Sequence, residues 1–224
     1  MPLRYTPSQV SSLDILQFES MPRQPTLEFS FRRIKNSKIT CPGLGIEYQT
    51  KTSGKWFRYL QTTFTRWDAR TKQRVVIAVW EKRIFKGTYL RIKPAGIGDI
   101  NGNRMEMLKE EEVFPQISGR RSGFKFTRAF VANNGKRYIW KSQMRKSLQL
   151  FRDENPNTPI AAFQRRHLFR GQFHNRIQLG PAGGWEDILD YIVVTGVIAH
   201  MQVVENASQA IDNVNQISGA IAGN

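Results

Sequence analysis

The sequence predicts a mainly β domain built around one apolar helix, on three observations. Short segments of alternating or β-branched and aromatic character recur from residue 26 to residue 179, with turn formers between them. One long apolar stretch follows, residues 185–204, with no polar face broad enough to lie against water. All 34 Lys and Arg residues lie at or before Arg176, so the apolar stretch closes a chain whose positive charge is gathered in the β-rich part.

Taken in order, residues 1–24 are rich in Ser, Pro and Gln without sustained periodicity and read as a flexible leader. At 26–33, Leu27, Phe29 and Phe31 alternate with Glu28, Ser30 and Arg32, the pattern of a half-buried strand. Residues 45–52, 56–67, 73–83 and 88–93 continue the series, separated by turns such as Thr52-Ser53-Gly54 and Phe85-Lys86-Gly87. The glycine-rich stretch 94–123 reads as a long connection with one helical turn, its Glu110-Glu111-Glu112 cluster solvated. Residues 125–132 and 136–141 flank Asn133-Asn134-Gly135, a hairpin in which Asn-Gly supplies positive φ angles. Segments 147–152, 160–168 and 173–179 complete about ten strands, with a loop at Asn155-Pro156-Asn157-Thr158-Pro159.

The helix is entered through Gly183 and Gly184, with Glu186 and Asp187 placed to complement the positive end of its dipole. From 188 to 204 it is about 17 residues or about 25 Å long, against roughly 20 residues for a comfortable bilayer span. Asp190 lies one turn inside and would cost about 2.5–3.5 kcal/mol in a membrane. A helix enclosed by β-structure is therefore the expectation, with Asp190 capping or hydrogen-bonding near the mouth of the fold. The domain is expected over residues 25–205 with its helix at 185–205. In the tail, 206–224, Ile211, Val214, Ile217 and Ile221 at helical spacing extend the helix weakly.

Charge narrows the function classes. Residues 1–176 carry 34 basic and 13 acidic side chains, and residues 177–224 carry none and five. From Arg120 to Arg176 there are 14 basic residues and two acids, Asp153 and Glu154. Such a field favours phosphate-bearing partners, either nucleic acid or anionic lipid. The lone Cys41 excludes an internal disulfide, and no secretory signal opens the chain, which points to an intracellular, cytoplasmic protein, peripheral at a membrane if it meets one.

No enzyme signal stands out. His167, His174 and His200 lack metal-ligand spacing, so no metal or cofactor is expected. The run from Gly96 to Gly102 departs from the dinucleotide fingerprint, and neither a Gly-x-Ser-x-Gly elbow nor a Gly-Lys-Ser/Thr phosphate loop occurs. The candidate site residues are basic: Arg120, Arg121, Lys125 and Arg128 in one group, Lys141, Arg145 and Lys146 in a second, Arg166 and Arg170 in a third. They are expected on the exterior of the fold, facing acidic phospholipid headgroups. Nucleic acid is the second choice of partner, with Phe124, Phe126, Phe130 and Tyr138 available to stack bases. A tail-anchored protein spanning the bilayer with residues 188–204 is the remaining alternative.

Residues 128–141 (Arg-Ala-Phe-Val-Ala-Asn-Asn-Gly-Lys-Arg-Tyr-Ile-Trp-Lys), 148–153, 159–166 and the helical run 189–197 (Leu-Asp-Tyr-Ile-Val-Val-Thr-Gly-Val) resemble a fungal family of uncharacterised domains placed with the tubby C-terminal-like superfamily. The resemblance covers about residues 26–205. Its most specific parts are the hairpin with Gly135, Tyr138 and Trp140, and the Leu189 to Thr195 run. It implies a closed antiparallel β-barrel of about twelve strands threaded by the apolar C-terminal helix. It also implies, by analogy with tubby domains, phosphoinositide-like headgroup binding through exterior basic side chains, and no catalytic activity.

Overall fold

A computed structural model describes residues 24–30, 34–55, 59–83, 85–93, 107–117, 126–142, 147–164, 175–181 and 183–222, without the side chains of Lys55, of 210–211 and of 213–222. Twelve strands form one antiparallel sheet: β1 (Thr26–Phe29), β2 (Lys38–Cys41), β3 (Ile46–Lys55), β4 (Tyr59–Asp68), β5 (Gln73–Arg83), β6 (Gly87–Ile92), β7 (Leu108–Lys109), β8 (Phe126–Val131), β9 (Arg137–Ser142), β10 (Leu148–Arg152), β11 (Asn155–Gln164) and β12 (Arg176–Leu179). Among the described residues two α-helices accompany them, the short α1 (Glu110–Val113) and the long α2 (Leu189–Ala222). The sheet order is β7-β6-β5-β4-β3-β2-β1-β12-β11-β10-β9-β8, so hairpin neighbours pair throughout and β1 meets β12 in the middle.

The expected mainly β architecture with one C-terminal helix is present, but the sheet is not closed into a barrel. Among the described residues no ladder joins the edges β7 and β8. β7 is only two residues long, because the chain leaves it at once to form α1. Beyond α1, residues 115–117 lie along β8 with a single bridge, Gln116 to Arg128; Ile117 N–H bonds Thr127 O at 3.0 Å and Ala129 N–H bonds Pro115 O at 3.0 Å. Pro115 has no N–H with which to extend that ladder.

The sheet nevertheless wraps α2. Ile192, Val193, Val194, Thr195, Val197, Ile198 and Ala199 are each 0 % exposed, and such consecutive residues point all round a helix. The stretch Glu186–Gln209 is long and apolar enough to cross a membrane, yet 72% of its most apolar window is buried in the protein. A bilayer span would require pulling that stretch out of the core. Past Val204 the helix continues to Ala222, further than weak extension suggested, since no Gly or Pro interrupts it before Gly219.

Two sequence motifs dock on each other inside. Trp140 of β9, fully buried, donates from Nε1 to Thr195 Oγ1 at 2.8 Å, and Thr195 in turn donates to Tyr191 O at 2.6 Å. Phe130 of β8 stacks between Tyr138, at 5.5 Å, and Tyr191, at 5.9 Å; such ring pairs each add about 0.5–1.5 kcal/mol beyond area burial. Gly196 leaves room for the indole, because a Cβ there would lie 3.0 Å from Trp140 Cζ2.

Two local expectations change. Gly135 (φ 73°) takes a positive φ but Asn134 does not, and Gly135 N–H bonds Ala132 O at 3.0 Å, so the hairpin uses a tight turn followed by a glycine bulge. The expected loop 155–159 is the first half of β11: the chain turns at Asp153-Glu154, and register shifts beside Phe151 accommodate Pro156 and Pro159. In β11, Ile160 to Phe163 are buried without alternation.

Candidate anion-binding surface

Because the strands run antiparallel in hairpin order, their connections fall at two ends of the sheet. The strand ends that flank residues 42–45, 69–72, 93–107, 132–136, 153–154 and 180–188 in the sequence are at the proximal end, where α2 begins. The strand ends that flank residues 30–37, 56–58, 84–86, 118–125, 143–146 and 165–175 in the sequence are at the distal end, where α2 leaves the core. The registers that define the distal end include Phe126 opposite Ser142, Gln164 opposite Arg176 and Arg83 opposite both Tyr59 and Gly87.

The two sets of connections differ sharply in charge. The distal set contains Arg32, Arg33, Lys35, Arg58, Lys86, Arg120, Arg121, Lys125, Arg145, Lys146, Arg165, Arg166 and Arg170, and no Asp or Glu. The proximal set holds Arg70, Lys72, Lys93, Arg104 and Lys136 against Asp99, Glu106, Asp153, Glu154, Glu186 and Asp187. Five distal connections also have Phe directly before a cation, at Phe31-Arg32, Phe57-Arg58, Phe85-Lys86, Phe124-Lys125 and Phe169-Arg170; the sixth has Met144-Arg145.

Two described connections are held firmly. Thr50 Oγ1 accepts from Ser37 N–H at 2.9 Å and donates to Ile34 O at 2.5 Å, while Thr52 Oγ1 donates to Lys35 O at 2.8 Å. These bonds fix the turn that carries the exposed Lys35. In the β5–β6 hairpin, Arg83 donates to Glu81 Oε2 at 2.8 and 3.1 Å and lies 4.9 Å over the Tyr89 ring. Tyr59 Oη donates to Glu81 Oε1 at 2.9 Å, and burial followed by the Glu81 hydrogen bond pushes the Tyr59 phenol up.

The predicted site residues separate under this geometry. Arg120, Arg121, Lys125, Arg145, Lys146, Arg166 and Arg170 lie outside the described residues; the strand ends flanking them, Ile117, Phe126, Ser142, Leu148, Gln164 and Arg176, are all distal. Lys141, beside the inward Trp140, is on the outer face of β9 with its Nζ 5.1 Å over the Phe151 ring. Arg128 departs from the expected exterior position. Its side chain is 13% exposed; Nη1 donates to Glu110 Oε1 and to Phe114 O at 2.8 and 2.7 Å. Glu110 is correspondingly buried, not solvated, and also accepts from Trp80 Nε1 at 2.8 Å and from Gln202 of α2. Glu111 and Glu112 remain exposed, as expected of the cluster.

A second buried pair sits at the proximal end. Asp190, 4 % exposed, accepts from Tyr48 Oη at 2.9 Å and from Arg66 Nη1 at 2.9 and 3.1 Å. Burial, reinforced by Asp190, raises the Tyr48 phenol far above its ordinary value. Asp190 thus has the hydrogen-bonding place near the mouth that its position suggested, while Glu110 and Gln202 tie the other end of the buried helix. Among the described residues no group of His, Cys, Asp and Glu could hold a metal ion.

The model of a family of unknown function, DUF6593, matches residues 32–203, which include the hairpin, both buried ion pairs and the enclosed part of α2. The chain belongs to the DUF6593 family. No curated protein matches it. No solved structure matches it. Within DUF6593, then, the two motifs that stood out in the sequence are the two that interlock in the core through Trp140, Thr195 and Gly196. The matched family carries no assigned activity, and neither the tubby-like kinship nor a fungal source is part of the match.

Proposed function

We propose that this DUF6593 protein is a non-enzymatic intracellular domain that binds acidic phospholipid headgroups, and that the bilayer meets its distal end. The observation that carries this reading is the charge of the sequence between strand ends: thirteen Lys and Arg and no acid in the six segments flanked by distal strand ends, against a mixed set in those flanked by proximal ones. Each basic residue near an anionic surface contributes about 1 kcal/mol, so a cluster of this size is a strong electrostatic anchor. The kinship with tubby C-terminal-like domains belongs to this proposal. Relative to the expectation of a basic outer wall, the reading moves the contact to one end, with Lys141 on the adjoining wall and Arg128 excluded from it.

Co-sedimentation of the full chain with phosphatidylcholine vesicles, with and without phosphatidylserine or a phosphoinositide, tests the proposal. Binding that requires the acidic lipid supports it. Equal, negligible recovery with both vesicle types refutes it, and tight, salt-dependent binding to single-stranded RNA without binding to vesicles would assign the basic end to nucleic acid instead.

A further inference from the structure

We infer that the tip of the β5–β6 hairpin is an insertion finger, with Phe85 entering the interfacial layer of an acidic bilayer while Lys86 pairs with phosphate. The inference rests on the headgroup reading and adds the side chain that penetrates. Phe85 is 93% exposed, against 39–59% for the other exposed large hydrophobic residues described. A phenylalanine so placed gains nothing from the fold around it, whereas the two residues after it are fixed. Lys86 N–H bonds Arg83 O at 3.3 Å, Tyr89 Oη donates to Lys86 O at 2.9 Å, and Gly87 takes φ 89° to close the turn.

Arg83 is bound to Glu81 and covered by Tyr89, and Lys82 pairs with Glu205 of α2, so the tip presents Phe85 and Lys86 on a braced stem. An apolar ring with a cation next to it suits the boundary between acyl chains and phosphates: the ring is buried and the ammonium stays at headgroup level. Charge complementarity therefore selects an acidic bilayer as the occupant, and the exposed ring selects insertion over purely electrostatic contact.

Partitioning of the wild type, Phe85→Ser and Phe85→Trp onto phosphatidylcholine vesicles containing phosphatidylserine, over a salt series, tests the finger. Burying a phenyl ring predicts about tenfold weaker partitioning for Phe85→Ser, binding near wild type for Phe85→Trp, and the same slope of log affinity against log salt for all three, since no cation is removed. Unchanged circular dichroism and melting temperature are expected, given the exposure of the side chain. Wild-type partitioning by Phe85→Ser at every salt concentration overturns the finger and leaves the headgroup reading standing. Failure of the wild type itself to bind overturns both. Loss of RNA binding on Phe85→Ser, without vesicle binding by the wild type, makes the ring a stacking platform and also overturns the finger.

Discussion

Replacing Gly196 by alanine sets two effects of known sign against each other. An alanine in place of a mid-helix glycine stabilises by about 1 kcal/mol through backbone entropy. Its methyl, however, would lie 3.0 Å from Trp140 Cζ2, 3.3 Å from Cη2 and 3.5 Å from Ile177 Cδ1. The indole cannot easily retreat, because it is fully buried and its Nε1–H is committed to Thr195 Oγ1 at 2.8 Å. Overpacking of a filled core costs about 1–3 kcal/mol, so the overpacking prevails and a net loss of about 1 kcal/mol is expected. For a chain of this size that is a fall of about 2–4 °C in melting temperature. The assay is calorimetry or urea denaturation of Gly196→Ala, Trp140→Phe and the double variant. Because Phe lacks the ring atoms that the methyl meets, Gly196→Ala should be neutral or stabilising in the Trp140→Phe background. A rise in stability in both backgrounds would refute the close-packing explanation for this glycine.

The buried ion pairs give two further outcomes. Arg128→Ala, which leaves Glu110 buried without its cation, should cost about 3–5 kcal/mol in urea denaturation, while vesicle binding by the folded fraction stays at the wild-type level. Asp190→Asn should cost less, about 1–2 kcal/mol, because Arg66, 34% exposed, can turn towards water. Tyr48, raised above the ordinary phenol value of 10 by burial and then by Asp190, contributes stability that is complete below pH about 10 and is lost as the pH rises beyond it. Denaturation across that alkaline range should therefore show a falling stability that Tyr48→Phe flattens.

Much of the β architecture was legible because alternation and turn residues act locally: β5 lies at the expected 73–83, and the strands around Gly135 lie within a residue or so of expectation. The strands missed are β2 and β7, four and two residues long, too short to display a period. Edge pairing was not legible, since it depends on α1 turning Glu110 inward to partners on β5, β8 and α2. Arg128 did carry a usable signal, because period two puts it on the face shared by the buried Phe126 and Phe130. Arg66 likewise shares parity with the buried Thr62 and Phe64, whereas its pairing with Asp190 joins residues 124 positions apart that no local pattern relates. The charge step after Arg176 was plain in composition; that it becomes a polarity between two ends follows only from the strand order.

That polarity is tested most directly by neutralising each end in turn. Vesicle partitioning of a distal variant, Arg120→Gln with Arg121→Gln, Arg145→Gln and Lys146→Gln, is compared with that of a proximal variant, Arg70→Gln with Lys72→Gln and Lys136→Gln, on acidic vesicles at physiological salt. At about 1 kcal/mol per cation near the surface, the distal variant should bind at least about a hundredfold more weakly and the proximal variant within about threefold of wild type. Equal losses from the two ends, or a loss confined to the proximal variant, would contradict a membrane contact at the distal end.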